Sequence, residues 1–552
     1  MWADAYRRAA GLGAGASGLA RSGMLGPYRP GQLWRVAQAL RSCGLNLGAT
    51  YAAGAARWPQ RVALADGAGA LSFGEMDRRT ATVAAGLADL GWGPGDRVGL
   101  LARNHRDFVT AIVALARLGT DTVHLNTGFA GPQLEATARR ERLRAVVVDE
   151  DLLPAAQSLR GRFELVVTAG AGYTGAGVLA SFAGMLAGGS RPGPAAPGVV
   201  GAQVVLTSGT TGAPRGARRH IGAEVGALTA LLSRIPLRAS DTTVVAAPAF
   251  HSWGLANVAV GLALGSTLVM VERFDPGDTL ALIEAHRATV LVGVPVMLQR
   301  IMELAAPARA ARDVSSLRVV AVSGSALPGG LATRFMDGFG EVVYNLYGST
   351  EVGWASVATP ADLRAAPATA GRPLPGARLR LVGPDGRQVR PGEPGRIFVR
   401  SRLSFDGYSG GGSREVVGGY MASGDVGHLD GAGRLHVDGR DDDMIVSGGE
   451  NVFPFEVEDL LARHRAVAEV AVVGVDDDAW GQRLDAYVVL REGVNVAADE
   501  LRDHVRDHLA RYKVPRRIAF LPALPRNATG KVMRSQLVTT DLAHTTEAPT
   551  RG

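Results

Sequence analysis

The apolar run Val204-Val205-Leu206 empties into Thr207-Ser208-Gly209-Thr210-Thr211-Gly212-Ala213-Pro214-Arg215-Gly216. Glycines and hydroxyls in such a string expose backbone N–H groups and short donors without side-chain obstruction, which is what a polyphosphate needs, and Arg215 adds fixed positive charge. It is not a Walker A loop, because no Gly-Lys-Ser/Thr follows at the required spacing. A second signal is compositional: of 59 basic residues only Lys513 and Lys531 are lysines, so something keeps those two apart from the rest. Other reactive types are uninformative alone. A lone His251 beside Phe250 and Trp253 reads as a packed core residue, and a lone Glu351 as a solvated charge. The single cysteine, Cys43, excludes an internal disulfide, a cysteine-based zinc site and an iron–sulfur cluster, and fits a reduced compartment.

The elements that must position these residues read as α/β layering from Tyr51 onward, with short β-branched runs alternating with Ala/Leu-rich amphipathic stretches. Glu75 to Leu90 and Phe108 to Leu118 are helical in pattern, and Arg97 to Leu101 is strand-like. Further buried strands are expected at Ala145–Val148, Leu165–Val167, Val204–Leu206, Thr243–Ala246, Thr267–Val271, Thr289–Val292 and Val319–Val322. The longest charge-free run, Gly254 to Val271, is broken by Asn257, Gly261 and Gly265 and reads as a buried helix followed by a strand rather than a membrane span. A composition shift follows Leu429, and Gly439-Arg440-Asp441-Asp442-Asp443 looks like a domain junction. Beyond it lies a compact α+β unit, with a helix from Phe455 to Arg463, strands at Val467–Val475 and Ala486–Leu490, and a helix near Asp499 to Arg511 with Leu501, Val505, His508 and Leu509 on one face.

The ten-residue string resembles the phosphate-loop signature of the acyl-adenylate-forming superfamily of acyl-CoA synthetases, luciferases and peptide-synthetase adenylation domains. The other signatures follow in order over about residues 50 to 540: Pro248 to Gly254 around His251, Ser323-Gly324-Ser325-Ala326-Leu327-Pro328, Asn345-Leu346-Tyr347-Gly348-Ser349-Thr350-Glu351, Ser423-Gly424-Asp425-Val426-Gly427, Gly439-Arg440, Ser447 to Pro454, and Leu524 to Arg534 around Lys531. The resemblance implies an α/β fold with a large N-terminal domain of α/β subdomains, one portion barrel-like, and a small mobile α+β C-terminal domain. The expected boundaries are an arginine-rich extension over 1–50, an adenylation domain over 51–438, the small domain over 439–540 and a disordered tail over 541–552.

The resemblance also implies roles. Thr207, Ser208, Gly209, Thr210, Thr211, Gly212 and Arg215 would hold ATP phosphates, while Gly324, Ser325, Ala326, Asn345, Tyr347 and Gly348 would hold adenine. Asp425 and Arg440 would meet the ribose, Thr350 the α-phosphate, and Glu351 the Mg²⁺ carried by ATP, an ion that takes hard oxygen ligands. His251 would sit near the substrate carboxylate, and Lys531 would bridge that carboxylate and the α-phosphate. Asp442 would be the hinge, and Ser447, Gly448 and Gly449 would line the pantetheine tunnel of coenzyme A. The expected enzyme is an acid–thiol ligase that forms acyl-AMP from a small-molecule carboxylic acid and ATP, then transfers the acyl group to CoA. A layout with an arginine-rich extension looks most like actinobacterial fatty-acyl-CoA synthetases, so a medium- or long-chain fatty acid is expected. The alternatives are an aryl or short-chain acid, or a ligase that loads a carrier protein. The absence of a long insertion between Glu351 and Gly376 and of a fused carrier domain favours CoA.

The net charge of +7 is confined to residues 1–61, where eight arginines face only Asp4. The remainder is neutral, which leaves no basic face to follow a nucleic acid. The arm could touch an anionic membrane surface or pack on its own domain; its Gly/Ala/Ser-rich start makes a poor secretory signal, and a cytoplasmic protein is expected. Two dinucleotide-type glycine patterns carry no NAD site: Gly13 to Gly18 has no strand before it, and Gly170 to Gly175 has no acid about 20 residues on.

Overall fold

A computed structural model describes residues 18–24, 26, 30–44, 46–168, 177–207, 214–220, 225–447, 450–477, 481–528 and 530–539. The expected strands Arg97–Leu101, Ala145–Val148 and Val319–Val322 form over those residues, and the latter two are buried throughout. Apolar side chains on both faces of such runs demand cover on both sides, which only a sandwiched parallel sheet supplies. Two large sheets meet that demand. One runs in the order Arg372–Pro373, Gly353–Ala358, Val343–Ser349, Val319–Val322, Val290–Gly293, Thr242–Val245, Thr267–Met270, Val62–Asp66, Gly69–Ser72 and is parallel except at its edges. The other is centred on the parallel strands Arg97–Leu101, Asp121–His124, Ala145–Val148 and Gln203–Thr207, with Arg215–Arg219 antiparallel at one side.

The helices Phe73–Asp89, Arg106–Leu118 and Ser252–Leu264 pack between these sheets, and a single apolar cluster joins Phe108, Ile112 and Leu262 to strand residues of both. The first helix begins two residues before its apolar pattern predicts. Ser72 caps the Glu75 N–H, and Glu75 accepts from the Ser72 N–H at 2.7 Å, a reciprocal capping box that draws Phe73 into the first turn. The Gly254–Val271 run does divide into a helix and the strand Thr267–Met270, separated by Gly265 at φ +66.

The β-rich portion of the large domain is an antiparallel sheet of Arg378–Val382, Gly395–Arg400, Tyr420–Leu429, Val416–Val417 and Leu435–Arg440. The composition shift after Leu429 is the turn of a hairpin. Its returning strand carries Gly439 and Arg440, and Asp425 pairs in register with Arg440. The small domain is built on Gly481–Leu490, flanked by Val467–Asp477 and Ile445–Ser447, with Arg517–Phe520 parallel to it. The helix expected to reach Arg511 ends at His508, because Leu509 turns extended, and a 3₁₀ turn follows over Arg511–Lys513. Lys513 Nζ there donates to Glu456 Oε2 at 2.5 Å, tying the turn to the helix Pro454–Ala462.

Of the N-terminal segment, the described residues Ser22, Gly23 and Met24 meet the body. The Ala239 N–H donates to the Ser22 carbonyl at 2.8 Å, and Arg57 donates to the carbonyls of Gly23 and Met24. Its helix Pro30–Cys43 leaves Leu33 and Trp34 exposed. No helix among the described residues is long and apolar enough to cross a membrane. The expected disordered tail and the Gly170–Gly175 pattern lie outside the described residues.

Candidate active site

Parallel strands aim their carboxyl ends at one crevice, and residues that follow them converge there. Thr207 ends Gln203–Thr207, Ser323 to Ala326 follow Val319–Val322, and Thr350 and Glu351 follow Val343–Ser349. His251 lies in the loop after Thr242–Val245 and stands at the N-cap of the helix Ser252–Leu264. A cavity of about 1000 Å³ opens where they meet. It is lined by Thr207, Arg215, His251, Gly324, Ser325, Ala326, Asn345, Tyr347, Gly348, Thr350, Glu351, Asp425, Arg440 and Lys531. The signatures scattered over some 320 positions therefore share one wall. Ser208, Gly209, Thr210, Thr211, Gly212, Gly448 and Gly449 lie outside the described residues. Asp442 and Ser447 do not line the cavity: Asp442 accepts from Arg440 Nε at 3.1 Å, and Ser447 is buried in the small domain's sheet opposite Glu450 and Gly481.

Tyr347 and Asp425 face each other, the phenol donating to Asp425 Oδ2 at 2.6 Å. Burial pushes the Asp425 carboxyl above its usual range despite the Arg440 guanidinium 3.6 Å away. Burial and that carboxylate together raise the Tyr347 phenol, which stays protonated and donating. Gly348 sets how closely this strand meets its partner, because a Cβ there would stand 2.1 Å from the Gly353 carbonyl oxygen. Gly348→Ala is therefore expected to spread the hairpin beside Tyr347, costing about 2–3 kcal/mol of stability and raising the KM for ATP; thermal melts and ATP titrations read both effects.

Glu351 is 5% exposed. Its Oε1 accepts from the Tyr408 hydroxyl at 3.0 Å, its Oε2 accepts from Ser349 at 3.0 Å, and Arg414 Nη2 stands 3.7 Å from Oε1. Two hydrogen bonds on a carboxylate with about four lone-pair sites leave oxygen free to face a cation. Among the described residues no cluster of three or more metal-ligating side chains occurs. One carboxylate fits an ion that arrives with most of its ligands from phosphate and water, as Mg²⁺ does. The Thr350 hydroxyl lies 3.3 Å from Ser252 Oγ, and its carbonyl accepts from Arg219 Nη2 at 2.8 Å. Ser349 and Ser252 lie inside the quoted strings, whereas Tyr408, Arg414 and Arg219 carry no signal in isolation; Tyr408 is 57 positions from the carboxylate it meets.

Lys531 enters from the small domain. Asn527 Oδ1 accepts from the Lys531 N–H at 3.0 Å, and Arg526 braces the loop by donating to the Gly530 carbonyl at 2.6 Å and to Glu469 at 2.8 Å. Burial, then the Arg440 charge, lowers the Lys531 ammonium below its ordinary value, with Asp443 and Asp425 opposing. His251 is pushed down to about 4 by burial and by the Lys531 charge. The histidine is thus a neutral imidazole at physiological pH, so it cannot act there as a cation.

A nucleotide-sized crevice completed by a cation from a second domain is the arrangement of an adenylating ligase, and comparison with known proteins agrees. A family model described as AMP-binding enzyme matches residues 51–409, and one described as AMP-binding enzyme C-terminal domain matches residues 456–531. The chain belongs to the AMP-binding enzyme family of the acyl-adenylate-forming superfamily; it is an AMP-forming acid–thiol ligase whose co-substrates are ATP with Mg²⁺ and CoA.

It is similar to a feruloyl-CoA synthase of Amycolatopsis sp., at 34% identity over 87% of this chain and 96% of that protein. An indoleacetate–CoA ligase of Aromatoleum aromaticum is 34% identical over 90% of this chain and 96% of its own length. Among solved structures, the anthranilate CoA ligase AuaEII in complex with anthranoyl-AMP superposes with a TM-score of 0.81 at 27% identity, covering 89% of this chain and 96% of that one.

Proposed function

We propose that this ligase activates an aromatic carboxylic acid rather than a fatty acid, and passes it to CoA. The relatives support this reading, since those named above act on feruloyl, indoleacetate and anthranoyl groups. The observation that carries it is the pair of indoles, Trp253 and Trp354, lining the same cavity as His251 and Lys531. Trp253 is held by its N–H donating to the Gly293 carbonyl at 3.0 Å, which gives a flat acid a fixed aromatic wall. The medium- or long-chain acid expected from the N-terminal extension is the weaker reading, because none of those three relatives is named for one.

In this mechanism a carboxylate oxygen attacks the α-phosphorus, the bond to the bridging oxygen breaks, and pyrophosphate leaves. Lys531 holds the acid's carboxylate against the phosphate and offsets the charge that builds on the phosphoryl oxygens. Thr350 donates to the α-phosphate, Asp425 accepts from the ribose hydroxyls, and Tyr347, Asn345 and Gly324 to Ala326 seat the base. Glu351 would hold Mg²⁺, which supplies charge neutralisation on the leaving phosphates. In the second step, after the chain turns at Asp442, the thiol loses its proton to solvent, its sulfur attacks the acyl carbonyl and AMP departs.

Purified protein assayed with ferulate, indoleacetate, anthranilate and benzoate against C4 to C18 fatty acids, by pyrophosphate release and by CoA consumption, tests the reading. At least one aryl acid should exceed every fatty acid by about tenfold or more in kcat/KM. Turnover confined to the aliphatic series would overturn it.

A further inference from the structure

The cavity does not end at the adenylate pocket. It continues into the seam where the helix Gly329–Phe339 of the large domain meets the helix Pro454–Ala462 of the small one, and the Gly329 N–H donates across that seam to Asp459 Oδ1 at 3.3 Å. Arg334, one turn along the first helix, lines this extension, half-buried. Among the described residues its guanidinium has no hydrogen-bonding or carboxylate partner, whereas the nearby carboxylates are all engaged. Asp459 holds Arg463, Glu458 holds Arg534, Glu469 holds Arg526, and Asp337 and Glu341 hold Arg364.

Beside Arg334 stands the stem of Arg463, whose own charge Asp459 holds. A Cβ at Gly330 would stand 3.3 Å from Arg334 Nη1 and 3.7 Å from Arg463 Cγ, so the two arginines bracket one point of the wall. Arg491 of the small domain, likewise without an ion-pair partner among the described residues, adds its field; burial and that field both lower the Arg334 guanidinium. A half-buried guanidinium without a counter-ion is costly, and its planar fork matches phosphate oxygens.

We propose that Arg334 forms an anion subsite at the domain seam that takes the phosphate groups of a ligand entering the cavity. Two phosphate sources exist in this reaction, the CoA co-substrate and the pyrophosphate product, and the CoA assignment rests on the acid–CoA ligase reading above. Arg334→Ala, compared with wild type, distinguishes them. If CoA is the ligand, its KM rises about tenfold while the KM of pantetheine, which lacks phosphate, stays within twofold. If pyrophosphate is the ligand, its inhibition constant in acyl-AMP formation rises about tenfold and the KM for CoA holds. Arg334→Lys, which keeps the charge but loses the fork, should recover part of either effect. Constancy of both parameters within twofold in a folded Arg334→Ala protein overturns the subsite. Acyl-AMP formation by a wild type that never consumes CoA would instead defeat the functional reading and leave the pyrophosphate arm decisive.

Discussion

Lys531→Ala is expected to slow acyl-AMP formation by about 10²–10³-fold, while thioester formation from supplied acyl-AMP stays within about threefold of wild type. No neighbouring cation can replace the missing ammonium. Arg440 is engaged with Asp425 and Asp442, and Arg534 with Glu458 and Asp443. Lys531→Arg should rescue poorly, because the loop is pinned by Asn527 and Arg526 and a planar fork carried on it does not place one point charge between two anions. Pyrophosphate release from ATP and acid reads the first half-reaction, and AMP release from acyl-AMP and CoA reads the second. Equal loss in both would remove Lys531 from its assigned step.

Asp425→Asn should separate function from stability in the opposite sense to most buried-site changes. Replacing the carboxylate weakens acceptance from the ribose hydroxyls, and hydrogen bonds to a charged group are worth about 1.5–3 kcal/mol, so the KM for ATP should rise about 10- to 100-fold. The folded protein holds the Asp425 pKa above its unfolded value, chiefly by burial. The fold therefore binds this proton more tightly than the unfolded chain, and stability falls as pH rises from the unfolded pKa through the raised folded one. Above the raised folded pKa the ionised carboxylate is a standing cost. The Asn variant should melt no lower than wild type at pH 7 and lose part of the pH dependence in that window. Calorimetric melts between pH 4 and 8 check this, and a drop of several degrees at pH 7 would contradict it.

The layered architecture was legible because buried parallel strands write themselves as uninterrupted apolar runs. Ala145–Val148 and Val319–Val322 could be read residue by residue. Ends were less legible where a polar side chain decides them, as at Ser72, or where an extended backbone stops a helix that its apolar face would continue, as at Leu509. After Leu429 the turn and the strand that follows it were legible from Asp430, Gly431 and Gly433; what was not legible is that this strand pairs back on Tyr420–Leu429 as far as Arg440, because pairing belongs to the fold and not to the local string. At the site, contiguous strings such as Asn345 to Glu351 announced themselves. Their supports did not, since Tyr408 over Glu351, Glu469 behind Arg526 and Arg334 at the seam belong to the fold rather than to any local pattern.

The two lysines also divide in kind. Lys513 anchors a turn to Glu456 within the small domain, while Lys531 crosses to the large one. The indoles proposed to recognise the acid, Trp253 and Trp354, stand on the large domain, and the cation proposed to drive its activation stands on the other. Substrate choice and catalytic power are thereby inherited on separate pieces of chain. A lineage, or an engineer, can redraw the acid pocket without disturbing the charge that activates whatever is placed in it.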